Sequence, residues 1–334
     1  MNKQVAENIS ARAKERAGGI LTPRKIKTAL VVQGGTLRSV ASCGSAAALN
    51  YLKLTNAFDK VYGASSGSVN AAYFLTDQSA LGVTVYTEDV NNRRFLNFFR
   101  LHKMIDLEFF FEEIVLKRKE HNYERLKNHP TELKILTTDL DSHETVWFSS
   151  KDDKVDVYAA MKASCALPVI YGRGVRVAGR RCVDGFIKEP MPLLTPFEHD
   201  YTDILVLMTR HISLRQTGKV PLFKRLIFEP LIKRQLKNEL YELYRNRWKR
   251  YNWAVEQIEA GVYRRKDGHE IRIAYVCPDL ETEVHKFELG AEPLLRAGYS
   301  AWKNTFDFFG VSEGSKRSDY DNALYQAKRT IGLA

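Results

Sequence analysis

The sequence GASSGSVN, residues 63–70, constrains the fold of this chain more than any other segment. It follows a short apolar run at residues 60–62, which predicts a strand, and it leads into small and apolar residues at helical spacing. A nucleophile on a sharp strand-to-helix turn needs small residues two positions away on each side, and Ser65 has Gly63 and Gly67 there. The pattern therefore predicts that Ser65 is a nucleophile in an elbow formed by these glycines. A glycine-rich turn without catalytic role is the structural alternative.

Strand and helix patterns alternate along the chain, which predicts an α/β fold with a layered, mostly parallel sheet. The predicted strands cover residues 27–33, 60–62, 133–138, 145–148, 175–178, 204–208 and 271–276, and the clearest helices cover residues 40–54, 68–75 and 293–309. A change to strongly basic sequence near residue 215 predicts a boundary there. We expect an exposed helical or frayed N-terminal leader (1–25), a main domain (26–215) and a smaller basic α+β extension (216–334).

Composition excludes several classes of protein. The 334 residues include 51 Lys and Arg against 40 Asp and Glu, a net charge of +11, and 44% are hydrophobic, so the chain is globular rather than disordered or collagen-like. No apolar run is long enough to span a membrane, and the N-terminal residues lack a signal-peptide pattern. The four cysteines form no C-x-x-C pair, which argues against a zinc site or a disulfide framework. We expect a cytoplasmic protein, peripheral at any membrane that it meets.

A second glycine-rich segment, Gln33-Gly34-Gly35-Thr36, follows the first predicted strand. Paired glycines at the end of a strand let backbone N–H groups face a ligand, as an oxyanion hole requires. A tight turn between strand and helix is the alternative. The spacing matches neither a P-loop nor a dinucleotide-binding fingerprint. Arg38 is a candidate contact for an anionic head group, or a residue that holds the loop.

A third block, Asp184-Gly185-Phe186, is informative only in combination with the other two. The glycine loop, G-x-S-x-G and Asp-Gly occur in this order, with ASCALP at residues 163–168 before the last, and together they resemble the patatin-like phospholipases. The resemblance covers residues 26 to about 210. Beyond it, the basic extension and a Gly-Tyr pair at residues 298–299 resemble a bacterial subgroup with an added C-terminal domain.

The resemblance implies a three-layer α/β/α fold and a lipid acyl hydrolase that cleaves carboxylic esters through an acyl-enzyme. It carries Ser65 over as nucleophile, Asp184 as its partner in a Ser–Asp dyad, and the backbone of Gly34, Gly35 and Thr36 as oxyanion hole. Neither a cofactor nor a metal is implied. The chain departs from the family pattern at Thr36, Ser39 and Phe186, where the family has glycine.

Two alternatives stay open at the level of sequence. A Ser-His-Asp esterase shares G-x-S-x-G and would need a histidine after the acid, with His199, His211, His269 and His285 available. A catalytically weak lipid-binding or regulatory protein would keep the fold, and the side chains at Thr36, Ser39 and Phe186 motivate that interpretation.

Two further stretches bear on the substrate. Residues 95–111 are rich in phenylalanine, which predicts core helices or the wall of an acyl-chain pocket or lid. Residues 223–249 alternate Lys and Arg with apolar residues, typical of a basic helix on an anionic bilayer or of a solvated face. The expected partner is a lipid or other acyl ester, and with no recognised nucleic-acid module we expect no nucleic-acid binding.

Overall fold

The computed structural model describes residues 2–18, 26–100, 103–168, 170–171, 174–219, 222–236 and 238–333. Within them nine strands form one mixed sheet. The strands are β1 (Thr28–Val32), β2 (Lys60–Ala64), β3 (Glu132–Asp139), β4 (Thr145–Ser149), β5 (Val175–Val177), β6 (Arg180–Asp184), β7 (Asp203–Leu207), β8 (Val262–Arg264) and β9 (Glu270–Val276). All seven strands predicted from sequence are present, whereas the short β6 and β8 were not predicted as strands.

The strand order is β5-β6-β3-β2-β1-β7-β9-β8, with β4 also paired to β3. The five strands from β3 to β9 in this order run parallel, and β4, β5, β6 and β8 pair antiparallel at the two ends. The predicted α/β class with a mostly parallel sheet is therefore confirmed. Parallel neighbours are possible here because helices connect the strands across the faces of the sheet.

Helices cover both faces of the sheet. They are α1 (Lys3–Ala17), α2 (Val40–Tyr51), α3 (Ser66–Leu75), α4 (Ser79–Thr84), α5 (Tyr123–Asn128), α6 (Val157–Cys165), α7 (Leu194–Glu198), α8 (Leu222–Gln235), α9 (Asn238–Arg245), α10 (Arg247–Ala260), α11 (Ala291–Phe309) and α12 (Arg317–Thr330). Segments Val85–Asp89 and Phe109–Arg118 are π-helical. Alternate residues of β1 face opposite layers, since Leu30 contributes to the larger core with α2, α3 and α11, whereas Val31 contributes to a second core with α7 and α10.

The small residues of α2 allow another helix to approach closely. A Cβ added at Gly44 would lie 2.2 Å from the carbonyl oxygen of Gly298 on α11, which no side chain tolerates. This contact ties residues beyond 290 to the first helix of the main domain. Strands β8 and β9 belong to the same sheet as β1, so the sheet continues across the predicted boundary near residue 215, which stays a prediction.

Helix α1 agrees with the helical form of the predicted leader but is not exposed on all sides. Val5 and Ile9 are fully buried, and Arg12 is 1% exposed with its guanidinium paired to Asp59. These positions are four and three residues apart and therefore share one face of the helix. The many charged residues on the other faces hid this short stripe in the sequence. Across the described ranges, no helix is long and apolar enough to cross a membrane.

The register of β3 brings two distant segments together. The last residue of β2, Ala64, pairs with Leu136 of β3, and the last residue of β6, Asp184, pairs with the next β3 residue, Thr137. Strand β6 therefore takes the place beside β3 where β2 ends. As a result, Asp184 and the residue that follows Ala64 meet at the carboxyl end of the central strands.

Candidate active site

Ser65 occupies the sharp turn between β2 and α3. Its backbone has φ 54° and ψ −138°, a region that residues other than glycine rarely adopt. A Cβ at Gly63 would lie 2.5 Å from the Cα of Ser68, and one at Gly67 would lie 2.3 Å from the carbonyl oxygen of Val32. Both positions therefore require glycine for steric reasons, and the turn projects Ser65 away from the sheet at the start of α3.

Residues at the C-terminal end of α6 and just after it form hydrogen bonds to the backbones of both Ser65 and Asp184. The Ser164 hydroxyl accepts a hydrogen bond from the Ser65 backbone N–H at 2.8 Å and donates one to the Leu136 carbonyl at 2.6 Å. Two residues later, the carbonyl of Ala166 accepts the N–H of Asp184 at 3.1 Å. The conformation of the ASCALP block thus fixes the backbones of Ser65 and Asp184 relative to each other, a role that its sequence alone did not reveal.

Asp184 is fully buried and only half satisfied. Its Oδ1 accepts the N–H of Phe186 at 2.9 Å, whereas Oδ2 has no hydrogen-bond partner among the described residues. Burial raises the pKa of Asp184 to about 7, although the Phe186 N–H and the Ser65 hydroxyl both lower it. A carboxylate with this pKa and a free oxygen can accept a proton near neutral pH.

The turn after Asp184 contains Phe186, at a position where the family has glycine. A Cβ at Gly185 would lie 2.3 Å from Cγ of Leu136, so glycine is required at that position. Phe186 instead turns towards α10, where the Arg247 guanidinium lies 5.3 Å from its ring centre. Its side chain is therefore accommodated, and its N–H still binds the aspartate.

The glycine loop lies directly against the Ser65 turn. A Cβ at Gly34 would lie 2.3 Å from the carbonyl oxygen of Ala64, and the Gln33 side chain ties the loop to the segment after β7 by accepting the Thr209 N–H at 2.7 Å. The next two N–H groups, those of Gly35 and Thr36, point towards the start of α3 and donate to the Ser66 hydroxyl. Thr36 also has a positive φ of 58°.

Arg38 lies beside this loop and is partly buried. Its Nε is buried without a hydrogen-bond partner in the described structure. Burial, and then the nearby Arg210, lower the pKa of Arg38 to about 10, so the guanidinium remains charged at neutral pH. Arg210 itself pairs with Glu283 at 3.0 Å. Among the residues described, Arg38 is therefore a cation without an ion pair of its own next to the glycine loop.

A small cavity, partly open to solvent, adjoins Ser65. Its lining consists of Thr36, Leu37, Ser65, Ser66, Tyr86, Val90, Phe95, Ile105, Leu107, Phe110, Cys165 and Leu167. Four of these, Phe95, Ile105, Leu107 and Phe110, come from the phenylalanine-rich segment, while Phe111 packs in the core. The walls are mostly apolar and the polar groups gather at the Ser65 end, an arrangement suited to an acyl chain.

The histidines available for a triad contact other parts of the chain. None of His199, His211, His269 and His285 lines the cavity beside Ser65. His211 Nδ1 lies 2.7 Å from the Ser213 hydroxyl, and His269 Nε2 lies 2.8 Å from a backbone carbonyl. Among the residues that the structure describes, no group of three or more His, Cys, Asp or Glu side chains could hold a metal ion.

Comparison with known proteins agrees with this geometry. The family model for the patatin-like phospholipases matches residues 30–197, half of the chain, and this range includes Ser65, Asp184 and the glycine loop. The chain belongs to the patatin-like phospholipase family, and membership supports lipid hydrolysis in general.

Other comparisons are more distant. No curated protein matches the sequence. Among solved structures, human GIVD cytosolic phospholipase A2, in complex with methyl γ-linolenyl fluorophosphonate, is similar with a TM-score of 0.42 and 13% identity. The match covers 97% of this chain and 64% of the phospholipase, so this chain spans less than two thirds of the length of the phospholipase.

Proposed function

We propose that the protein is a lipid acyl hydrolase that cleaves carboxylic esters with a Ser65–Asp184 dyad. The observation that carries the proposal is the buried Oδ2 of Asp184, unpartnered within the described structure, at the carboxyl end of β6, with the pKa of the group raised to about 7 beside the strained Ser65 turn. A carboxylate in that state can take the serine proton directly, without a histidine between them.

The proposed reaction has two halves. Ser65 Oγ attacks the ester carbonyl carbon as its proton passes to Asp184, and N–H groups of the Gly34–Thr36 loop stabilise the tetrahedral oxyanion. Collapse of this intermediate breaks the bond to the alcohol, which leaves with the proton from Asp184. Water then attacks the acyl-enzyme, Asp184 accepts its proton and returns it to Ser65, and the fatty acid is released. The dipole of α3 favours the negative charge at this end.

The partly buried cation of Arg38 supports a role at the substrate head group. It forms no ion pair with any acidic residue that the structure describes, and it lies beside the loop that would hold the oxyanion. A phosphate or another anionic group near the ester would therefore have a counter-ion there. We propose Arg38 as that contact, and an alanine variant should weaken the protein's action on anionic phospholipids more than on uncharged esters.

Hydrolysis of phospholipid vesicles in the presence of hydroxylamine tests the proposed function. An acyl-enzyme partitions between water and hydroxylamine, so both free fatty acid and fatty hydroxamate should form. The runner-up function, a catalytically weak lipid-binding protein, predicts that the chain sediments with vesicles while neither product appears. Fatty acid without hydroxamate would point to direct attack by water and contradict the covalent route.

Filling the cavity should shorten the acyl chain that the protein accepts. Val90 lines the cavity wall and is buried, and Val90→Phe would take up part of the space proposed for the chain. We expect turnover of esters of long fatty acids to fall about tenfold or more, because a clash of this size costs about 1–3 kcal/mol, whereas butyrate esters should be spared. The check is the ratio of kcat/KM for the two esters, and an equal loss on both would contradict the assignment of the cavity.

A hairpin beside the cavity is the surface we propose for lipid contact. Residues 95–100 and 103–106 form its two described arms, since Leu96 bridges Ile105 and the Asn97 N–H donates to the Met104 carbonyl at 2.8 Å. On the first arm Phe99 is 93% exposed and Phe98 is 54% exposed, whereas Phe95 and Ile105 at the base of the hairpin are part of the cavity wall. Exposed aromatic residues at a cavity entrance favour contact with an apolar phase.

The basic stretch at residues 223–249 is less suited to this role than its sequence suggested. Its apolar residues Leu236, Leu240 and Tyr241 are buried against Val183 and Ile187, next to the strand that carries Asp184. These three residues are therefore not free to enter a bilayer, although Leu226 of the same stretch is 69% exposed. Lys233 lies over the Tyr241 ring, and Lys237 falls outside the described residues.

Phe99→Ser should therefore weaken binding to phospholipid vesicles about tenfold, the loss expected for one phenylalanine no longer buried in lipid. Turnover of a soluble short-chain ester should stay unchanged, because Phe99 does not line the cavity. Tyr325→Ser, which removes an aromatic residue 51% exposed on α12, is the matched control. Vesicle co-sedimentation measures both, and equal binding by the two variants would rule out the hairpin as the contact.

A further inference from the structure

The N–H groups proposed to bind the oxyanion already have a partner within the chain. The hydroxyl of Ser66 accepts hydrogen bonds from the Gly35 N–H at 3.1 Å and from the Thr36 N–H at 3.2 Å. An oxyanion hole works only if its N–H donors reach the substrate oxygen at about the distance that separates them here from the Ser66 oxygen. The Ser66 hydroxyl therefore occupies the position that the substrate oxygen needs.

Ser39 holds the Ser66 hydroxyl in that position. The two hydroxyl oxygens are 2.7 Å apart, and both residues are buried. Because the Ser66 oxygen already accepts two hydrogen bonds, its own proton is directed at Ser39, which acts as the acceptor. No other hydrogen bond of the Ser39 hydroxyl is found in the described structure, and a glycine at this position could not supply the acceptor.

We propose that the Ser39–Ser66 pair keeps the oxyanion hole filled in the resting protein, so that the substrate oxygen must displace the Ser66 hydroxyl before turnover. This inference rests on the proposed function and adds a control on the same site. Ser66 acts through the N–H groups that it covers and is therefore a positioning residue. It forms no bond to the substrate.

The bound substrate and the transition state differ in how well they can displace the Ser66 hydroxyl from the oxyanion hole. A neutral ester carbonyl and the neutral Ser66 hydroxyl accept hydrogen bonds of about the same strength from these N–H groups. Replacing the hydroxyl by the carbonyl therefore gains no free energy. A developing oxyanion makes stronger, charge-assisted bonds and can displace the hydroxyl. The cost of displacement therefore falls on the chemical step, and we expect it to lower kcat rather than to raise KM.

Ser66→Ala tests this directly. With the hydroxyl removed, kcat/KM for a soluble short-chain ester should rise about 5- to 30-fold, as expected for one or two neutral hydrogen bonds that no longer compete, with KM little changed. Affinity for a trifluoromethyl ketone, whose serine adduct carries the oxyanion, should rise by a similar factor. Ser79→Ala is the matched control, because it removes a buried serine hydroxyl outside the site that has no hydrogen-bond partner in the described structure.

Ser39→Gly provides a second variant if Ser66→Ala does not fold. Loss of the acceptor should release the Ser66 hydroxyl in part and give a smaller rise in kcat. Folded Ser66→Ala with kcat and ketone affinity equal to or below wild type would overturn the inference while leaving the hydrolase intact. If wild type and both variants show neither turnover nor ketone binding, the proposed function fails and this inference with it. Turnover that appears only in the variants would support both.

Discussion

Ser65→Ala and Asp184→Asn should each lower ester turnover by about 10⁴-fold or more, because the attacking oxygen and the group that accepts its proton act as one unit. The double variant should be little worse than either single one for the same reason. Steady-state rates on a short-chain ester and on phospholipid vesicles measure the effect. Wild-type turnover by Ser65→Ala would show that another residue attacks the ester.

Histidine variants provide the control for the dyad. Replacing His199, His211, His269 or His285 by Gln should leave turnover within a few-fold of wild type, since none lines the cavity. A loss of about 10³-fold at any one of them would indicate a Ser-His-Asp mechanism instead.

Folding of the Asp184→Asn variant can be checked by its stability. Burial raises the folded-state pKa of Asp184 to about 7, above its ordinary value of 3.8, so the native chain binds the extra proton between these pH values and loses stability as the pH rises through them. An uncharged asparagine side chain in its place would remove that cost. Asp184→Asn should therefore melt above wild type at pH 8, whereas the two should be similar near pH 4.

The activity of the wild-type protein should fall steeply in mild acid. Asp184 must be ionised to accept the serine proton, and with its pKa at about 7 only about 1% of the free protein is ionised at pH 5. We expect kcat/KM to drop about 100-fold from its plateau above pH 8 to pH 5. The pH profile of kcat/KM on an ester without ionisable groups gives the measurement.

A second buried carboxyl makes a matched control for this profile. Burial also raises the pKa of Glu189 to about 7, and its Oε1 accepts the Leu194 N–H in a position that does not line the cavity. Glu189→Gln should keep the acid limb of the wild-type profile. An acid limb that moves with Glu189, or one centred near pH 4, would contradict Asp184 as the base.

Local sequence patterns predicted the parts of the site that depend on local geometry. Gly63 and Gly67 flank Ser65 because the turn leaves no room for side chains, and the glycine loop follows a strand whose apolar run is evident in the sequence. Residues of this kind are determined by neighbours within a few positions. The small residues of α2 likewise lie in a predicted helix, whereas their close contact with α11 at Gly44 joins distant segments.

Contacts between distant segments could not be predicted in the same way. The pairing of Asp184 with Thr137 depends on the register of a strand that was not predicted, and the bond from Ser65 to Ser164 joins residues 99 positions apart. Nor did composition reveal the face of α1 that Val5 and Ile9 bury. The bonds of the Ser66 hydroxyl to the glycine loop also arise from tertiary packing, so the sequence did not predict them.

Covalent labelling with a fluorophosphonate, followed by peptide mapping, is the most direct test of Ser65 as the nucleophile. The phosphonate phosphorus should bond to Ser65 Oγ with loss of fluoride, the modified peptide should contain residues 60–70 with the mass added at Ser65, and Ser65→Ala should not be labelled. Label on Ser66, on Ser68 or on a serine outside the elbow would contradict the account. So would ester hydrolysis that continues at full rate after complete labelling.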